Sequence, residues 1–207
     1  MKKYEIQIQA GRHEPGLYCM LEDGIMNYGQ VYYNDVANGV GCRTALFVSG
    51  CTHHCKGCFN EMTWDFNYGE PYTKEVEDEL IESLKPGHID GLTILGGEPM
   101  EISNQKEIRP LLERIKNEVP KATIWIYSGY LWDELTDPDN KRCHGEDTDA
   151  ILSMTDVLVD GEFMLDKKDL MLRFRGSSNQ RVIDVKETLK SGKVVLSKYN
   201  DRDNSRG

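Results

Sequence analysis

An α/β fold on a parallel sheet is the class this sequence predicts, and two patterns predict it. Short apolar runs rich in β-branched and aromatic residues alternate with segments of about a dozen residues whose apolar positions recur at helical spacing. Strands joined in this way run parallel, with right-handed crossovers. The second pattern is positional. A cysteine loop at 51–58, "GGEP" at 96–99 and "YSGY" at 127–130 each follow a strand directly. All three are therefore expected on one carboxyl-terminal edge of the sheet, where α/β folds hold their ligands.

The elements follow in order. "YEIQIQ" alternates like a short strand, and "AGRHEPG" breaks it. No element is assigned to "MNYGQVYYNDVANGVG". "TALFVS" (44–49) reads as a strand entering the cysteine loop. Residues 73–85 carry Val76, Leu80, Ile81 and Leu84 on one helical face, with Thr73 as N-cap. "GLTILGG" (91–97) is a strand ending in glycines. Residues 103–119 form a second helix with Ile108, Leu111, Leu112 and Ile115 on one face, and Pro110 predicts a start or kink nearby. "ATIWIYSG" (122–129) is a strand, 149–154 a short helix and "DVLVDG" (156–161) a strand. Residues 133–149 read as an acidic surface loop around a helical turn, and "QRVIDV" and "KVVLS" as two late strands.

Bulk composition narrows the class. A chain of 207 residues suits one domain with modest extensions, and 39% hydrophobic residues suffice for a core. The mean hydropathy of −0.57 implies a well-solvated surface. A net charge of −10 argues against nucleic acid or anionic membrane as a partner. No apolar run is long enough for a membrane span. The basic start "MKKYEIQIQAGRHEPGLYCM" lacks the apolar segment of a secretory signal, so a cytoplasmic location is expected.

Half of the six cysteines, Cys51, Cys55 and Cys58, fall within eight residues. Clustering of this kind suits metal or redox ligation better than disulfides. Three readings stay open on spacing alone: an iron–sulfur cube with one open iron, a Cys3His zinc site completed by His53 or His54, or an incidental thiol cluster. Cys19, Cys42 and Cys143 are scattered and read as free thiols.

"CTHHCKGC", a Cys-x3-Cys-x2-Cys motif, resembles the signature of the radical S-adenosylmethionine superfamily. That superfamily commonly has an aromatic residue before the third cysteine, whereas Gly57 stands there and Phe59 follows. The form "CKGCFN" resembles the activating proteins of anaerobic ribonucleoside-triphosphate reductase. "MNYGQVYYNDVANGVGCRTALFVSGC", "GGEP", "WIYSGY", "LVDGEF" and "RGSSNQR" resemble motifs of the same family, in its order.

The resemblance implies an incomplete parallel β/α barrel of the radical S-adenosylmethionine type over residues 26–200, with 1–25 an N-terminal extension and 201–207 a polar tail. It implies one 4Fe-4S cluster ligated by Cys51, Cys55 and Cys58, whose open iron binds the amino and carboxylate groups of S-adenosylmethionine. Reduction would release a 5′-deoxyadenosyl radical, which takes a hydrogen atom from a glycine of the reductase. Gly57, Cys58, Phe59, Gly96, Gly97, Glu98 and Ser128 are the cofactor-binding candidates, Glu98 toward the methionine ammonium or as a helix cap. Gly57 is expected to let the backbone approach the adenosine. No catalytic acid–base side chain is implied. Asp160 is either part of a turn with Gly161 at positive φ or a neighbour of the ribose or substrate loop. Arg175, Ser177, Ser178 and Asn179 are a substrate-docking set or an ordinary loop. His53, His54 and Lys56 are read as solvated, and their charge would favour flavodoxin or a similar acidic electron donor. The alternatives are activation of another glycyl-radical enzyme, such as pyruvate formate-lyase, and a non-catalytic zinc or iron–sulfur regulator.

Overall fold

The computed structural model of the protein describes residues 26–200. The expected extension 1–25, with its "YEIQIQ" strand, and the expected tail 201–207 lie outside the described residues. Among the described residues, seven strands form one open sheet in the order β3-β1-β2-β4-β5-β6-β7. Its centre is parallel: β2 (Arg43–Val48), β4 (Gly91–Gly96), β5 (Thr123–Tyr127) and β6 (Val157–Asp160) run in one direction. Its flanks are antiparallel. β1 (Asn27–Asp35) pairs with β2 and with the two-residue β3 (Glu70–Pro71), while β7 (Arg181–Asp184) pairs with β6. The expectation of a parallel sheet is thus correct for the four central strands and is corrected at both edges.

Strand β1 was not visible in the pattern because neither of its faces is fully buried, and two register shifts interrupt its pairing with β2. A strand without one apolar face carries little periodicity. The "KVVLS" strand reduces to an isolated bridge between Ile183 and Leu196, with Ser197 N–H donating to Val182 O at 2.7 Å.

The helices are α1 (Lys74–Leu84), α2 (Ile102–Glu118), α3 (Trp132–Leu135), α4 (Thr148–Met154) and α5 (Val185–Ser191). Thr73 occupies the N-cap position of α1 but its side chain makes no capping hydrogen bond. Pro110 neither starts nor breaks α2, which runs through it with the ring exposed.

Period-2 alternation divides the strands between two cores. Leu46, Val48, Leu92, Ile94, Ile124, Ile126, Leu158 and Ile183 pack against Leu80, Ile81 and Leu84 of α1, Ile108, Leu111, Leu112 and Ile115 of α2, and Ile151 and Leu152 of α4. Trp125, Val157, Val159 and Val182 point to the other face, where Phe174 and Tyr199 rather than a helix cover them. Arg43 is buried at the amino-terminal end of the parallel strands. Its guanidinium donates to Thr93 Oγ1 at 2.7 Å, Leu92 O at 2.8 Å and Thr123 O at 2.8 Å. Desolvation lowers its pKa to about 10. Among the described residues no helix is long and apolar enough to cross a membrane.

Candidate metal and cofactor site

The site begins where β2 stops. Gly50 takes a left-handed φ of +91°, turning the chain out of the strand immediately before Cys51. Gly50 N–H donates to Thr63 O at 2.8 Å and Cys51 N–H to Trp64 O at 3.2 Å, so the short 3-10 turn Glu61–Trp64 closes the loop behind the cysteines. Cys58 N–H donates to Cys55 O at 3.1 Å, closing a tight turn between the second and third cysteines.

The end of β4 packs directly on this loop. Gly97 N–H donates to Val48 O at 2.7 Å and Glu98 N–H to Gly50 O at 2.8 Å. A Cβ on Gly97 would lie 2.5 Å from Gly50 O, and one on Gly96 2.7 Å from Val48 O. Both glycines are therefore demanded by the approach of two backbones.

Cys51, Cys55, Cys58, Phe59, Gly96, Gly97, Glu98 and Ser128 line one cleft at the carboxyl ends of β2, β4 and β5, as their positions after strands predict. Gly57 is outside that lining. It has φ +75°, and a Cβ there would meet Leu165 Cδ1 at 3.2 Å, so its visible role is in the loop's own turn. Phe59 is 75% exposed, with Phe163 beside it and Lys168 Nζ 4.9 Å from its ring.

Glu98 is 1% exposed. Its Oε1 accepts from Met100 N–H at 2.8 Å and Ser128 Oγ–H at 2.9 Å, and its Oε2 from Gly129 N–H at 2.6 Å. The carboxylate thus ties the β4 loop to the β5 loop. Ser128 is held in the same knot, since its Oγ also accepts from Tyr130 N–H at 3.1 Å.

Burial pushes the Cys51 thiol up to about 12, reinforced by the Glu98 and Glu101 carboxylates and opposed by backbone amides of His53 and His54 that point at the sulfur. Cys55 is raised chiefly by burial, against an amide from Phe163. Asn60 N–H lies 3.4 Å from Cys58 Sγ. Amides aimed at the sulfurs suit iron–sulfur ligation. Two polar atoms of cleft-lining residues, Trp64 Nε1 and Tyr127 Oη, are buried with no hydrogen-bond partner among the described residues. Such atoms fit a wall awaiting a polar ligand.

Several residues essential to this geometry carried no readable signal. Glu101 accepts from Thr52 N–H at 2.8 Å and Thr52 Oγ1–H at 2.6 Å, anchoring the cysteine loop to the start of α2. Asn104 donates from Nδ2 to Ser49 O and Glu98 O, both at 2.9 Å, and so bridges the ends of β2 and β4. Neither belongs to a motif, because each acts through a fold-dependent contact.

Other expectations are corrected. His53 is not solvated: its side chain is 3% exposed, with Nδ1 2.9 Å from Glu162 Oε1 and Nε2 3.2 Å from Glu98 Oε2. His54 and Lys56 are exposed, and the His54 ring lies 4.7 Å from that of Trp64. Both histidines are thus engaged away from a Cys3His zinc site; among the described residues no three His, Cys, Asp or Glu side chains, the three cysteines included, are gathered around a single-ion position, and the cysteines share only the lining of one cleft. Asp160 is fully buried, accepts Trp132 N–H at 2.8 Å and pairs with Arg181, while Gly161 takes φ +98°. Gly161 thus takes the turn conformation expected of it, and Asp160 is engaged with Trp132 and Arg181. Residues 175–180 are knitted together, Gln180 Oε1 accepting from Gly176 and Ser177 N–H and Arg175 donating to Gln180 O. Cys42 is half-buried and Cys143 buried, both as free thiols.

Residues 37–183 match the model of a 4Fe-4S single cluster domain. An anaerobic ribonucleoside-triphosphate reductase-activating protein of Vibrio cholerae is 45% identical over 157 residues, covering 75% of this chain and 96% of the relative. Its namesake from Escherichia coli is 43% identical, covering 76% of this chain and 97% of the relative. The namesake from Enterobacteria phage T4 is 36% identical and covers 93% of that relative. The chain belongs to the family of anaerobic ribonucleoside-triphosphate reductase-activating proteins. Within this activating-protein family, a 4Fe-4S domain spans the cysteine loop and every strand of the parallel centre.

Proposed function

We propose that the protein activates an anaerobic ribonucleoside-triphosphate reductase by forming a glycyl radical on it, as a radical S-adenosylmethionine enzyme. The observation that carries this reading is the convergence of three cysteines with Gly96–Gly97 and Ser128 on one cleft at the carboxyl ends of parallel strands. It occurs in a chain that spans nearly the whole length of relatives named for that activation. Helices on one face of an open, partly parallel sheet support the incomplete-barrel reading.

Cys51, Cys55 and Cys58 would hold a 4Fe-4S cluster, leaving one iron for S-adenosylmethionine. When bound, the cluster and S-adenosylmethionine supply the electron and the carbon radical that removes a hydrogen atom from a glycine of the reductase. The chain's own residues bind, orient and shield. Backbone amides of His53, His54, Asn60 and Phe163 direct partial positive charge at the sulfurs, which stabilises added negative charge. The Glu98 knot holds the ends of β4 and β5 at a fixed separation, so the cleft is preorganised. Burial of Cys51 and of the cleft walls keeps water from a reactive radical. Phe59 and Lys168 at the exposed mouth leave it open to a protein segment. The exposed Lys56 side suits an acidic electron donor such as flavodoxin.

The test is anaerobic reconstitution with iron and sulfide, reduction, and addition of S-adenosylmethionine with and without the cognate reductase. The expected result is S-adenosylmethionine cleavage and a glycyl-radical doublet on the reductase in electron paramagnetic resonance. Cleavage without the doublet would refute the partner, and zinc binding without cleavage would refute the enzyme.

A further inference from the structure

His53 lies between two of the proposed cluster ligands, yet its side chain is almost completely buried while its neighbours Thr52, His54 and Lys56 are exposed. A loop residue turns inward against the solvent only if it gains partners there. The partners come from three separate strand ends. Nδ1 lies 2.9 Å from Glu162 Oε1 in the loop after β6, at hydrogen-bonding distance and geometry. Nε2 lies 3.2 Å from Glu98 Oε2 in the loop after β4, an ion-pair distance without hydrogen-bond alignment. The ring packs on Tyr130 in the loop after β5, centroid to centroid at 4.3 Å.

The niche is shaped for this ring. A Cβ on Gly129 would strike His53 at 2.6 Å, so the glycine makes the room the imidazole fills. The ring's deepest contact, Glu98, is itself held by Met100 N–H, Ser128 Oγ–H and Gly129 N–H, so His53 abuts a fixed node. His53 also lines both the cysteine cleft and a second cavity formed with Lys56, Glu162 and Leu165, and so stands in the wall between them.

We infer that His53 is a positioning residue for the cluster loop, spanning the ends of β4, β5 and β6 so that the cysteine loop is held in one orientation against the cleft. The consequence runs through the backbone. The amides of His53 and His54 are the ones aimed at Cys51, and anchoring the His53 ring fixes their direction. Removing the ring frees that segment, weakens the amide–sulfur contacts and opens the wall to chelators and water. The inference rests on the cluster reading above.

The test compares the wild-type chain with His53→Ala, His53→Gln and Glu162→Gln after anaerobic reconstitution. Loss of iron to an excess chelator is followed optically, and thermal unfolding of the metal-free chains is measured in parallel. Outer partners of metal ligands typically change retention about 10–100-fold. His53→Ala is therefore expected to lose iron about tenfold faster than wild type. His53→Gln, which can still reach a carboxylate, should recover part of that loss. Glu162→Gln, altered at a half-exposed side chain, should show a smaller change in the same direction and keeps the test valid if His53→Ala does not fold. Iron loss at the wild-type rate in the folded His53 variants, or in Glu162→Gln where those do not fold, would overturn the inference. So would a drop in metal-free melting temperature with retention unchanged, which marks a merely structural role. A wild-type chain that takes up no cluster would instead overturn the functional reading.

Discussion

Gly97 offers a sharp test of how the two backbones at the cleft are joined. In Gly97→Ala the added Cβ would sit 2.5 Å from Gly50 O and 2.8 Å from Thr63 O. Both obstacles are backbone, so no side chain can swing aside, and the β2 and β4 ends must part. Forcing an extra carbon into such a contact costs about 1–3 kcal/mol. Parting the ends also stretches the Gly97–Val48 and Glu98–Gly50 hydrogen bonds, 2.7 and 2.8 Å long, at about 1 kcal/mol for whichever fails. The sum of about 3 kcal/mol lowers the melting temperature of a chain this long by roughly 6–12 °C. Gly87→Ala is the control, because nothing lies within 4 Å of its added Cβ. Thermal unfolding of the metal-free variants by circular dichroism, followed by iron content after reconstitution, gives the comparison. Gly87→Ala should melt at or slightly above wild type, since alanine at a compatible site restricts the unfolded chain. If Gly97→Ala melts with Gly87→Ala and takes up the same iron, the close-approach reasoning is refuted.

Glu101→Ala removes the acceptor of Thr52 N–H and Oγ1–H. A loss of about 2 kcal/mol and lower iron retention are expected, measured by urea unfolding and chelation; unchanged retention would show that the loop is held elsewhere. Asp156 is buried, which pushes its pKa up, but Lys186, the Ile124 amide and Lys116 outweigh this and hold it below the ordinary carboxylate value. A depressed folded value contributes stability that is present above the unfolded pKa near 3.9 and is lost as pH falls through the folded value. The urea midpoint of wild type should therefore fall more steeply than that of Asp156→Asn on acidification below about pH 4, and parallel curves would remove Asp156 from the account. Neutralising the exposed Lys56 as Lys56→Gln should slow cluster reduction by flavodoxin more at low salt than at high, whereas equal slowing at both would exclude a steering role.

Legibility in the sequence followed burial and local spacing. The four central strands are buried and end in turn-forming residues, so β2, β4, β5 and β6 were readable within a residue or two. The edge strand β1 was not, because its residues are half exposed on both faces. The cysteines and Gly96–Gly97 were readable because thiolate spacing and paired glycines after a strand are local features. Glu98 was singled out as a ligand toward the cofactor or a cap; it lines the cleft, and its hydrogen bonds also show it joining two loops, a role no local pattern carries. His53 reads as solvated from a polar loop, and only the approach of Glu98, Glu162 and Tyr130 from other strand ends makes it buried.

By itself, then, the sequence determined the α/β order of elements, the three clustered cysteines and the strand ends that must share an edge. These depend on side-chain period and on neighbours a few residues apart. Only the tertiary structure decided that the sheet is mixed and open, that Asp160 pairs with Arg181, that Glu101 and Asn104 bond to the cysteine loop and the strand end before it, and that His53 meets Glu98. Each of those contacts joins residues distant in the chain, and their partners are set by which strands lie side by side.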